Sequence, residues 1–80
     1  MLPESHSFDV EVDASGLNCP LPILKAKKAL SGLASGQVLK VISTDPGAKR
    51  DFEAFARQTG NELVAQSQAG DALSFYLKRR

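Results

Sequence analysis

The sequence predicts an α/β two-layer sandwich: a mixed four-stranded sheet with two helices packed on one face. Three observations lead there. Phe8–Asp13 and Leu73–Lys78 alternate apolar and polar residues with the period of a half-wet strand. The segments after Pro22 and after Pro46 carry apolar residues at helical spacing. Turn residues between these runs set the order βαβαββ. Eighty residues leave room for one core, so residues 8–80 are read as a single domain and residues 1–7 as a flexible leading tail.

The first strand, Phe8–Asp13, should place Phe8, Val10 and Val12 toward the helices and Asp9, Glu11 and Asp13 toward water. Ala14–Asn18 is a turn in which Gly16 is free to take a positive φ. The helix that follows Cys19 has Ile23, Ala26, Leu30 and Leu33 on one stripe, with Ala29 beside it. Lys25 and Lys28 lie on the opposite face, flanked by Leu21 and Leu24, and Ser35-Gly36 ends the segment.

Val38–Ile42 is a second strand, β-branched and rather apolar on both faces. Asp45 offers an N-cap and Pro46 the first helical position of a second helix, which Gly60 ends. Ala48, Phe52, Phe55 and Ala56 form its buried stripe. Leu63–Gln66 and Leu73–Lys78 should pair as a hairpin through Ala69-Gly70-Asp71. In the last strand Leu73, Phe75 and Leu77 would face the helices, and Ser74, Tyr76 and Lys78 water. Right-handed crossovers put both helices on one side of a sheet that grows without reversal. Helix N-termini then lie at the carboxyl ends of the parallel strands, where such sheets bind ligands, so Cys19 and Asp45–Arg50 share one end.

Composition narrows the function. One cysteine excludes an internal disulfide or dithiol cycle, and one cysteine with one histidine, His6, cannot make a zinc site, so no metal is expected. Ten basic and nine acidic side chains give a net charge of +1, too balanced for a general nucleic-acid binder. Neither a secretory signal nor a membrane span is visible, and the lack of disulfides suits a reducing cytoplasm. Nothing in the chain calls for self-association, and a monomer is expected.

The stretch Gly16–Leu30, GLNCPLPILKAKKAL, concentrates the chemistry. A residue before proline is driven toward extended backbone, which suits an N-cap, so Cys19 reads as the cap with Pro20 opening the helix. Pro22 disfavours helical geometry at Leu21, so the helix can equally start at Pro22 with Cys19 on an elbow. In the first register Leu21 N–H is the main donor left to meet the sulfur. A thiolate at a helix mouth is favoured by the dipole and free N–H groups. A buried filler cysteine would sit within an apolar stripe, whereas this one follows Gly16 and Asn18 in a turn. No histidine lies beside it to make a Cys–His hydrolase. What remains is a lone nucleophile that exchanges sulfur with other molecules.

With Asp13, Gly16-Leu17-x-Cys19-Pro20-x-Pro22, the basic helix, Gly36, the Asp45-Pro46 helix start with Asp51 and a final hairpin, the chain resembles the TusA/SirA family of small sulfur carriers. The resemblance implies that Cys19 accepts a persulfide sulfur from a donor such as a cysteine desulfurase. It implies relay of that sulfur to an acceptor, a downstream sulfur-relay or thiolation protein, with tRNA 2-thiouridine synthesis as one destination. No cofactor is expected, and the near-neutral charge and absent aromatic patch argue against stable direct contact with nucleic acid. Asp13 is expected to support the cysteine loop, together with Gly16, Pro20 and Pro22. Leu21, Leu24, Lys25 and Lys28, and at the second helix Asp45, Lys49, Arg50 and Asp51, are candidate partner contacts. The competing reading is a non-catalytic interaction module that uses the basic first helix or the bare sheet face.

Overall fold

The computed structural model describes residues 8–18 and 20–80, so Cys19 and the expected tail with His6 lie outside the described residues. The elements are β1 (Val10–Ala14), α1 (Leu21–Ser31), β2 (Val38–Ser43), α2 (Ala48–Thr59), β3 (Glu62–Ala69) and β4 (Ala72–Lys78). The sheet order is β1-β2-β4-β3. β1 and β2 are parallel, while β4 runs antiparallel to both of its neighbours. β3 is therefore parallel to β2 but one place removed, and the last strand fills the gap. The sheet grows in one direction across both crossovers, which keeps α1 and α2 on one face.

The core lies between that face and the helices. Strict alternation along β2 buries Leu39, Val41 and Ser43, and their partners across the ladder are Leu77, Phe75 and Leu73. Ala26 and Leu30 from α1 meet this layer, as do Ala48, Phe52, Phe55 and Ala56 from α2. Pro22 is also buried, one helical turn before Ala26. The two-residue hairpin loop has Gly70 at φ 61°, a conformation that costs other residues more.

Four expectations need correction. Phe8 does not face the helices. Pairing starts at Val10, because Asp9 N–H donates to Val38 O and Asp9 Oδ2 accepts from Val38 N–H (both 2.8 Å), and alternation has no hold on Phe8 outside the ladder. Its ring lies on the open face, 6.4 Å from Tyr76, with Lys40 Nζ 5.3 Å from its centroid. Tyr76 is consequently 5% exposed rather than wet.

The first helix takes neither anticipated register: α1 begins at Leu21, with Pro20 in the N-cap position instead of Cys19. Leu21 N–H donates to Asn18 O at 2.8 Å and so is not kept for the sulfur. The helix proper ends at Ser31, before Ser35-Gly36.

The second helix begins at Ala48, with Gly47 as N-cap. Asp45 still receives Gly47 N–H on Oδ1 at 3.1 Å, so its carboxylate caps the lead-in turn through Pro46 rather than the helix itself. Finally, β3 extends to Ala69, three residues past Gln66, because its polar, exposed half is carried by pairing with β4. A bulge between Leu63 and Ala65 accommodates Val64.

Candidate functional site

Parallel pairing makes β1 and β2 stop together, with Ala14 opposite Ser43. The loop after β1 therefore comes to rest beside the residue after β2, Thr44. Gly16 N–H donates to Thr44 Oγ1 at 2.8 Å, a link across 28 residues. Gly16 has φ 79°, which turns its amide in a way other residues would strain to copy. From the strand side, Ser15 N–H donates to Asp13 Oδ1 at 2.9 Å and Leu17 N–H to Ala14 O at 3.2 Å. Leu17 packs against the core from the loop. The segment that leads toward Cys19 is thus held from the strand side and from Thr44, and Pro20 leads directly into α1.

Asp13 accepts a hydrogen bond from this loop at the Ser15 amide. The Ser15 hydroxyl, then the Ser15 backbone N–H, hold its carboxyl below the ordinary carboxylate range; slight desolvation opposes them, and Lys25 adds a further lowering. A carboxyl depressed in the folded state stabilises the loop above its unfolded pKa, and that support is lost as pH falls through the lower folded value. Asp13 should therefore titrate below free aspartate in an NMR titration, with the Ser15 amide exchanging faster as the carboxyl protonates. Asp13→Asn should remove that pH dependence.

Thr44 went unnoticed in the sequence. Its signal is tertiary: only the parallel register of two strands makes the residue after one a neighbour of the loop after the other. Thr44→Val removes the acceptor for Gly16 N–H and should cost about 1 kcal/mol. Faster amide exchange at Gly16 and slower sulfur loading are the expected readouts.

Around the loop the predicted partner residues separate into two groups. Pro20 is exposed, Leu21 is 46% and Leu24 52% exposed, and Lys25 and Lys28 are exposed beside them. Lys25 and Lys28 also line a groove of about 480 Å³ between α1 and β1, floored by Val12, Ala29 and Leu33. Across the same end of the domain, Lys49 shares a cleft with Thr44 and Pro46. Lys49, Arg50 and Asp51 border a second recess with Gly47. The Asp45 and Asp51 carboxylates both approach Gly47, which offsets the charge of Lys49 and Arg50 locally. Asp13 and Lys25 are brought within electrostatic reach of each other.

No group of three or more metal-ligating side chains occurs among the described residues. Among them, too, no helix is long and apolar enough to cross a membrane.

The sequence matches the family model for sulfurtransferase TusA over residues 10–79, which takes in both strands of the site, the cysteine loop and both helices. The chain belongs to the TusA family. It is 61% identical over 72 residues to the sulfur carrier protein TusA of Allochromatium vinosum, covering 90% of this chain and 95% of that one. It is 38% identical over 76 residues to the sulfur carrier protein TusA of Pseudomonas aeruginosa, covering 95% and 96%. Among solved structures, a SirA-like protein from Desulfitobacterium hafniense superposes with a TM-score of 0.78. That alignment covers 88% of this chain and 96% of the other at 24% identity, and it speaks for the TusA-type fold alone.

Proposed function

We propose that this TusA-family protein is a cytoplasmic sulfur carrier that accepts a sulfur atom on Cys19 and hands it to another protein. The observation that supports this most directly is the doubly anchored loop. Asp13 and Thr44 hold the successive amides of Ser15 and Gly16, so the backbone leading toward the cysteine position is pre-set, while Asn18, Pro20 and Leu21 around it are exposed. A carrier needs a sulfur that is held in place yet open to two successive partners.

In the loading step the Cys19 thiolate attacks the terminal sulfur of a donor persulfide. The donor's S–S bond breaks, the donor leaves as a thiolate, and Cys19 becomes Cys–S–SH with the terminal sulfur keeping its proton. The donor is reduced as Cys19 is oxidised, so no outside oxidant is required. Unloading repeats the exchange with the acceptor as nucleophile. Gly16, Pro20 and Pro22 shape the backbone around the thiol, and no cofactor takes part.

Leu21 and Leu24 supply apolar contacts for both partners, and Lys25 and Lys28 supply charge. Asp45, Lys49, Arg50 and Asp51 form the facing rim. A persulfide-forming enzyme such as a cysteine desulfurase suits the donor role, and a sulfur-relay or thiolation protein the acceptor role, with tRNA 2-thiouridine synthesis as one end point.

Incubation with a cysteine desulfurase and cysteine, followed by intact mass measurement, should show a gain of one sulfur that a thiol reductant removes. No gain would overturn the proposal. Lys25→Glu/Lys28→Glu should slow loading from the enzyme roughly tenfold, chiefly by weakening encounter, and leave loading from a small-molecule persulfide unchanged. Equal slowing with both donors would place the lysines in the chemistry rather than in docking.

A further inference from the structure

The pole opposite the cysteine loop carries a second feature that sulfur relay does not use. The loop follows the carboxyl ends of β1 and β2, whereas both helices end, and β4 finishes, at the other pole, roughly 20 Å away along the strands. Between the helix ends lies a cleft of about 630 Å³ lined by Lys27, Arg57, Arg79 and Arg80, with Ser31 and Asn61 among its polar groups. No acidic side chain is among the described residues lining it. Glu62 lines the adjoining recess together with Lys78, its register partner in the β3–β4 ladder.

Cations near helix C-termini are often accounted for by the helix dipole. Here several of the terminal carbonyls have other partners. Gly60 N–H serves Ala56 O, the Thr59 hydroxyl serves Phe55 O, and Gly32 and Leu33 N–H groups serve Ala29 and Leu30 O. Only Arg79 is committed, its Nε donating to Leu33 O at 2.8 Å.

The backbone that carries the arginines is also fixed. Arg80 N–H donates to Asn61 Oδ1 at 3.0 Å, Asn61 Nδ2 donates to Thr59 Oγ1 at 3.0 Å, and Arg79 is tied through its N–H to Gln37 O at 2.8 Å. Arg80 lies across Gly60, whose missing side chain makes the room: a Cβ there would sit 3.0 Å from Arg80 Cδ at φ 78°. The cations are therefore gathered by the fold and not merely by composition, in a chain whose overall charge is only +1.

The geometry points to an anion-binding site at this pole for a small ligand bearing phosphate groups, recognised by Lys27, Arg57 and Arg80. A monocarboxylate would leave most of the positive charge unmatched. A polyphosphate or phosphate ester matches it, and guanidinium forks pair with phosphate oxygens two at a time.

Pyrophosphate is the probe, titrated into the ¹⁵N-labelled full chain and compared with sodium chloride at equal ionic strength. Saturable shifts should appear at Ser31, Gly60, Asn61 and Arg80 and leave Gly16 and Lys49 unmoved. Arg57→Gln/Arg80→Gln, both exposed sites, should weaken binding by at least about tenfold while sulfur loading from a desulfurase stays at the wild-type rate. Shifts reproduced by chloride, shifts spread equally over Lys25 and Lys49, or unchanged affinity in the double variant would overturn the assignment. So would binding of a short single-stranded RNA with a steep salt dependence but no binding of pyrophosphate.

Discussion

Cys19→Ser will take up no sulfur from a persulfide donor. Cys19 is the only cysteine in the chain, so the substitution removes the one atom that can form an S–S bond. A serine hydroxyl is not ionised near neutral pH and does not attack sulfur. Loading should fall to background, the largest change any single substitution can cause in this protein's activity. Melting temperature should stay within a few degrees of wild type, since serine differs from cysteine by one atom and the loop anchors at Asp13 and Thr44 are untouched. Intact mass after desulfurase treatment reads out the first result and thermal denaturation the second. A variant that still gains one reducible sulfur would refute the carrier mechanism.

The largest effect on stability is expected at Phe52. Its side chain is fully buried, stacked on Phe75 with centroids 4.8 Å apart, and edge-on to Phe55 at 6.2 Å. It is where α2 grips the inner strand β4. Truncation to alanine removes the transfer energy of the ring and leaves a cavity that three rigid elements cannot close, a loss of about 3–5 kcal/mol. For a domain of this size each kcal/mol lowers the melting temperature by about 4–8 °C, so a drop of more than about 12 °C is expected. A drop below about 4 °C would mean that the helix resettles and that the aromatic cluster is not the centre of the core.

Local patterns made most of this architecture legible. Alternation in Leu73–Lys78 and helical spacing in Ala48–Thr59 identified the buried faces, because both elements present a single side to the core. The errors fall where another force outweighed the pattern. Phe8 continues the alternation of β1 on paper, yet it lies before the ladder and instead covers Tyr76 and Lys40 on the open face. Proline and capping rules gave two starts for α1. The chain adopts a third, because Leu21 N–H finds Asn18 O and Pro20 takes the flanking position. At the site, Asp13 was visible because an aspartate at a strand end habitually captures the turn after it. Thr44 was not, since its contact with Gly16 depends on two strands stopping level, which no local stretch records.

The interior position of β4 has a consequence for how the protein is made. Its neighbour β2 was completed some thirty residues earlier, and pairs such as Leu39 with Leu77 cannot form until the final stretch has been synthesised. A nascent chain that has left the ribosome tunnel as far as β3 has two parallel strands, β1 and β2, with nothing beside β2 where β4 belongs, and β3 has no partner to join. Deleting residues 72–80, which carry β4, should therefore prevent the sheet from assembling.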